Sequence, residues 1–269
     1  MKLREKCWLW GHPERRYNDA CGNKQFSRMT PMECCLYLGI ENCFMVPLDV
    51  NPIKRQYNKS FTTLRNVSWE VYEAAKDLSV LDPILEEARN FKNITTVSFD
   101  DFVRDGKYKE INVEDLWKCR EKCKNNDVRP LDMWMVLYTN EFGFEQEKWE
   151  KLDKYIEPFD GVMMWTWEEK DVPLIPAKWE KFKELTPNNR RLFGCYLWNF
   201  GESKPATRDA VLWQLEFYLD KIMKGQAEGI IFHTNTMADL DLESYDAAIE
   251  WLKEHGDDEL PEKCHPFNK

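Results

Sequence analysis

The stretch FDGVMMWTWEEKDVPLIPAKWEKFKELTPNNRRLFGCYLWNFG (159–201) decides the fold. FDGVMMWTWEE is a short apolar run bounded by polar positions, as a buried strand is. IPAKWEKFKEL is amphipathic and helix-like, and RLFGCYLWNFG is a second strand-length run. Two strands joined through a helix lie parallel, because a hairpin turn would need only a few residues.

The same alternation continues on both sides of that unit. Strand candidates are KCWLWG near residue 8, NCFMVPL near 45, NVSWEV near 69, ITTVSFDD near 97, LDMWMVLYTN near 135 and EGIIFHTN near 231. Helical patterns follow them: DPILEEARNF with Asp82 as cap and Pro83 as first residue, NVEDLWKCREKC with Asn112 as cap, FEQEKWEKLDKYI, ATRDAVLWQLEFYLDKIM and LESYDAAIEWLKEH. TPMECCLYLGI serves after the first strand, and PIKRQYNKSFTTLRN is a weakly periodic connection after the second. Eight such units predict a (β/α)8 TIM barrel of class α/β. A doubly wound open sheet is the alternative, but WGHPERRYND after the first strand is no glycine-rich phosphate loop. No linker or repeat interrupts the chain. It reads as a single domain, 1–269, with 256–269 a C-terminal tail.

Composition narrows the function. A formal charge of −10 over 269 residues disfavours a nucleic-acid partner, which requires clustered Lys and Arg. No apolar run is long enough for a membrane span, and MKLREKCWLW lacks the apolar region of a signal peptide. Nine cysteines without a CxxC pair, beside only four histidines, argue against structural zinc. They read as small reduced hydrophobes of a cytoplasmic protein. No cofactor is implied.

Barrel chemistry gathers at the C-terminal ends of the strands. Those ends carry Trp10, His12 and Glu14; Trp69 and Glu70; Asp100 and Asp101; Tyr138, Asn140 and Glu141; Trp165, Trp167 and Glu168; Trp198 and Asn199; and His233. Alternation along strand four puts Val97 and Phe99 on one side and Ser98 and Asp100 on the other, so Asp100 is expected to face the mouth. Paired acids after a strand are, taken alone, more often a polar turn, and a strand tryptophan is more often core. Here seven of the twelve tryptophans (Trp8, Trp10, Trp69, Trp134, Trp165, Trp167 and Trp198) fall in strand candidates, several beside carboxylates. Indole faces stack on sugar rings while acids and amides take the hydroxyls. Glycoside cleavage needs two carboxyl groups held at different pKa values.

WLWGHPERRYN (8–18), SFDDF (98–102), VLYTNEF (136–142) and GCYLWNFGESKP (194–205) together resemble bacterial TIM-barrel proteins related to glycoside hydrolases. The resemblance implies a carbohydrate-related hydrolase with Asp100 or Asp101 at the strand-four position of a catalytic carboxylate. The common retaining arrangement has Asn-Glu after strand four and Glu after strand seven. This chain has Asp-Asp and Trp198-Asn199 there, and no chitinase-like spaced-acid motif.

The expectation is therefore a barrel acting on a glycoside, with Asp100, Asp101, Glu141 and Glu168 as candidate acids. Trp10, Trp165, Trp167 and Trp198 are the candidate sugar platforms, and His12, Glu14, Tyr138, Asn140, Asn199 and His233 the candidate polar contacts. Two other readings stand beside it. One is a non-catalytic carbohydrate-binding barrel; the other is a metal-dependent hydrolase or sugar isomerase using the acids with His12 and His233. A Schiff-base aldolase is remote, since Lys170 and Lys204 lie in loops.

Overall fold

A computed structural model describes residues 1–16, 25–47, 54–103, 108, 110–142 and 152–261. Eight parallel strands close into a barrel in sequence order, the last pairing with the first. They are β1 (Cys7–Gly11), β2 (Asn42–Met45), β3 (Asn66–Glu70), β4 (Ile94–Phe99), β5 (Asp132–Tyr138), β6 (Gly161–Trp165), β7 (Arg190–Tyr196) and β8 (Gly229–His233). The helices are α1 (Pro31–Leu38), α2 (Lys54–Ser60), α3 (Asp82–Asn90), α4 (Val113–Lys124), α5 (Leu152–Ile156), α6 (Ile175–Leu185), α7 (Arg208–Met223) and α8 (Glu243–His255). Closure excludes the open doubly wound sheet.

Local chemistry explains most boundaries. Thr30 accepts from the Glu33 N–H while the Glu33 carboxylate accepts from the Thr30 N–H, a reciprocal cap that starts α1. Gly39, at φ 67°, ends it. Asn112 caps α4 as expected, and Leu116, Cys119 and Cys123 form its buried stripe. Asp82 is not a cap: α3 begins at Asp82 with Leu81 before it. A short helix does occupy the weakly periodic connection, at Lys54–Ser60. Residues 144–151 of the expected fifth helix, and 262–269 of the tail, lie outside the described residues.

Two apolar cores divide the side chains. The outer one lies between strands and helices and holds alternate strand residues, among them Val67, Trp69, Val97 and Phe99. The inner one fills the barrel with the other alternation: Trp8, Trp10, Phe44, Trp134, Val136, Tyr138, Met163, Trp165, Leu192, Tyr196 and Ile231. Two glycines make room for the largest of these. A Cβ at Gly161 would stand 2.2 Å from Trp134, and one at Gly194 would stand 1.9 Å from Trp165. Each indole therefore lies over a bare stretch of the neighbouring strand.

Charged residues close the opposite, N-terminal end. Arg190 donates to Asp132 and to both oxygens of Glu228, Lys124 bridges Asp132 and Asp160, and Arg120 joins Asp160 at 2.9 Å. The seven described cysteines are all free and buried.

Candidate functional site

The mouth is built from the last residues of the strands, and β3 to β5 supply its acidic quarter. In β3, Val67 and Trp69 face the helices, so Ser68 and Glu70 face inward. Trp69 is thereby a core residue, its indole N–H donating to Asn58 at 3.0 Å. Glu70 is the least expected feature of the mouth. Burial pushes its carboxyl up to about 7, helped by the charges of Glu73 and Asp101 and opposed by the Tyr72 N–H and Lys54. The sequence places it at the end of strand three but not among the candidate acids. Alternation is the signal that finds it, since Val67 and Trp69 lie on the outer side of β3.

β4 ends at Phe99, one residue before the aspartates, so strand alternation does not govern Asp101. The chain turns there with Asp101 at φ 50°, a conformation uncommon outside glycine. Its N–H donates to Asp100 Oδ1 at 2.8 Å, and its own Oδ1 accepts from the Tyr138 hydroxyl at 2.8 Å. The strained turn thus brings both aspartates to the buried tyrosine at the end of β5. Burial, Tyr196 and the two aspartate charges together push the Tyr138 hydroxyl far above its usual value, which keeps it a donor. Glu70, Asp100, Asp101, Tyr138 and Tyr196 form one electrostatically linked group. Beneath it the inward hydroxyls of Ser68 and Ser98 are fully buried.

The other candidate acids are placed differently. Glu141 Oε2 accepts the Tyr138 N–H at 3.0 Å, holding the turn after β5. Glu168, after β6, pairs with Lys170 and lies beside Gly201, on the far side of the mouth. Glu169 accepts from the N–H and hydroxyl of Thr207, anchoring the start of α7. Asn199 holds its own loop, with Oδ1 accepting the Gly201 N–H at 3.2 Å. Asn140 is exposed in the turn after β5. Glu14, also exposed, accepts the Tyr57 hydroxyl at 2.9 Å.

Three of the four expected sugar platforms are buried. Trp10, Trp165 and Trp198 are 4, 1 and 5% exposed, and the first two are layers of the barrel interior. Their faces are occupied by neighbours: Trp165 stands edge-on to Trp10 at 5.4 Å and packs on Tyr196 at 4.6 Å. Trp167 is the half-buried indole at the mouth. It stacks on Phe200 at 4.7 Å and 27° and meets the ring edges of Tyr138 and Tyr196. Tyr196 and Phe200 did not stand out in the sequence, because each belongs to a run that is apolar throughout.

His233 faces inward, in ring contact with Trp165, Tyr196 and Phe200, and lies 5.5 Å from His12. His12 Nδ1 is 2.9 Å from the Val46 carbonyl, which can only accept, so Nδ1 carries the proton. Burial drives the His12 imidazole down to about 4. Burial and the neighbouring His12 push His233 well below its usual value. Both rings are neutral near pH 7. Among the described residues, no group of three or more His, Cys, Asp or Glu is gathered as a metal site would require.

No family model and no curated protein matches the sequence. Solved structures do match the fold. A putative alpha-L-fucosidase from Bacteroides thetaiotaomicron superposes with a TM-score of 0.60 over 94% of this chain and 96% of its own, at 9% identity. The active domain 2 of a thermostable chitinase from Pyrococcus furiosus gives 0.57 over 93% and 96%, again at 9% identity. A chitinase from Chromobacterium violaceum gives 0.51 over 90% and 98%, at 6% identity. Among the described residues no helix is long and apolar enough to cross a membrane. The chain is a closed (β/α)8 barrel whose fold resembles that of glycoside-hydrolase barrels.

Proposed function

We propose that this barrel hydrolyses a glycosidic bond at the mouth between β3, β4 and β5. Glu70 is the proton donor, and Asp101 is the carboxylate that stabilises or attacks the developing oxocarbenium centre. The observation that carries this reading is the contrast between neighbouring strand ends. Glu70 keeps its proton to about pH 7, while Asp101 is fixed by the Tyr138 hydroxyl. Unlike environments for two nearby carboxyl groups are what acid–base division of labour needs. Asp100 holds the turn that presents Asp101, and Trp167 with Phe200 offers the sugar an aromatic wall. The fold likeness to a fucosidase-type and two chitinase barrels supports a sugar substrate; the acids come from this chain alone.

The test is a panel of aryl glycosides and neutral oligosaccharides with the purified chain. Turnover of at least one glycoside is expected, falling about 10²–10⁴-fold in Asp101→Asn without loss of the folded state. Sugar binding with no turnover of any glycoside would support the non-catalytic barrel instead.

A further inference from the structure

Two of the described tryptophans are exposed, Trp117 at 41% and Trp213 at 42%. Trp213 is already stacked on Phe217, their planes 10° apart. Trp117 has no ring contact with an aromatic or cationic side chain among the described residues. It stands off the buried stripe of α4, which Leu116, Cys119 and Cys123 form, so the packing of that helix does not call for an indole there. What the side chain offers is a flat apolar face turned to the outside.

Trp117 lines a cleft of about 670 Å³ bounded by α4, the end of α5 and the loop from α6 to β7. A volume of that size is typical of small-ligand sites. Asp160 precedes β6 and Arg190 opens β7, so the cleft lies at the N-terminal end of the barrel, away from the acids of the mouth. Hydrogen bonds fix its shape. Asn189 Nδ2 donates to the carbonyls of Phe159 at 2.6 Å and Ile156 at 3.3 Å, tying the loop before β7 to the end of α5. Arg120 donates to the Pro158 carbonyl at 2.6 Å and to Asp160 at 2.9 Å, which ties α4 to the same segment.

The lining carries both kinds of hydrogen-bonding group. Arg120 has N–H donors beyond the two directed at Pro158 and Asp160, and the exposed Asn188 amide is both donor and acceptor. Asp153 and Glu157 are exposed acceptors one helical turn apart, and neither carboxylate has an ion pair or hydrogen bond with a described residue. Arg190, at the same end, is occupied by Asp132 and Glu228. An anion in the cleft meets the two carboxylates, and an organic cation meets Arg120. A neutral polyol uses donors and acceptors alike while its C–H face lies on Trp117. We infer that this cleft is a second saccharide site, which holds a short stretch of neutral glycan apart from the mouth and takes no part in cleavage. The choice of a sugar among neutral polyols rests on the glycoside reading above.

Indole N–H signals followed by NMR report the two ends of the barrel separately, Trp117 for the cleft and Trp167 for the mouth, each assigned with its own Trp→Phe variant. The neutral probes are cellotetraose, xylotetraose, mannotetraose and chitotetraose; spermidine and tetragalacturonate are the charged ones. At least one neutral tetrasaccharide is expected to shift the Trp117 signal saturably, and at lower concentration than either charged probe. The double variant Asp153→Ala/Glu157→Ala keeps the reporter and should bind that probe about tenfold or more weakly at Trp117, with the Trp167 response unchanged. A Trp117 signal unmoved by every neutral probe, tighter binding of spermidine or tetragalacturonate there, or undiminished affinity in the double variant would overturn the inference. Glycoside turnover without a Trp117 response overturns this site and leaves the hydrolase reading standing. A Trp117 response that depends on Asp153 and Glu157, in a protein that cleaves no glycoside, supports the site and removes only the hydrolase reading.

Discussion

Glu70 and the two buried histidines give the protein opposite pH dependences. Glu70 stays protonated in the fold up to about pH 7, whereas its ordinary value is 4.5. Between these values the folded state binds more protons than the unfolded one, so stability falls as pH rises through that window. Glu70→Gln keeps an oxygen for the Tyr72 N–H and cannot ionise. It should therefore melt above the parent at pH above 7 and match it below 4.5, in thermal melts across pH. His12 and His233 act in reverse. They are neutral when folded but protonate near 6.5 when unfolded, so their contribution is lost as pH falls from 6.5 toward about 4. His233→Gln should flatten that acid limb; an unchanged slope would show that the imidazole is not buried neutral. These residues also mark how far the sequence was legible. His233 and the aspartates announced themselves as polar groups ending apolar runs. Glu70 did not, because one carboxyl beside a tryptophan looks like any strand end until burial has changed its proton affinity.

At the scale of elements, the strands were the legible part. All eight runs form the barrel, because short apolar segments bounded by Gly, Pro and polar residues have few other places to go. Their ends were less legible. β4 stops at Phe99, and a positive φ at Asp101, which no alternation pattern encodes, aims the second carboxylate at Tyr138. The burial of the tryptophans was not legible for a related reason. A large indole on a strand requires a gap on its neighbour, and the glycines supplying that gap lie far away in sequence. Gly194 is opposite Trp165 across the β6–β7 pair. Gly194→Ala is expected to destabilise the protein by about 3 kcal/mol, since its Cβ meets Trp165 ring atoms rather than a flexible chain end. In a Trp165→Leu background the same change should cost at least about 1 kcal/mol less, a coupling that denaturant unfolding of the four proteins would measure.

At the scale of the whole molecule, the two ends of the barrel have different work. The N-terminal end is tied by ion pairs in which burial pushes the Glu228 carboxyl up despite the two hydrogen bonds from Arg190. Arg190→Met removes both hydrogen bonds to Glu228 and leaves Asp132 with Lys124 alone, and is expected to cost about 3 kcal/mol of stability, with no change in substrate affinity. The C-terminal end carries a left-handed turn at Asp101, two buried neutral imidazoles and a carboxyl pushed up to about 7, features that do little for stability. The proposed roles of Glu70 as proton donor and Asp101 at the sugar centre are separated by kcat/KM on glycosides whose leaving groups range from poor to good. A general acid matters only when the departing oxygen needs a proton. Glu70→Gln should therefore be severely slowed on an alkyl glycoside and nearly unaffected on a dinitrophenyl glycoside, while Asp101→Asn loses both. Equal loss on every leaving group in Glu70→Gln, or full activity in Asp101→Asn, would rule out these roles.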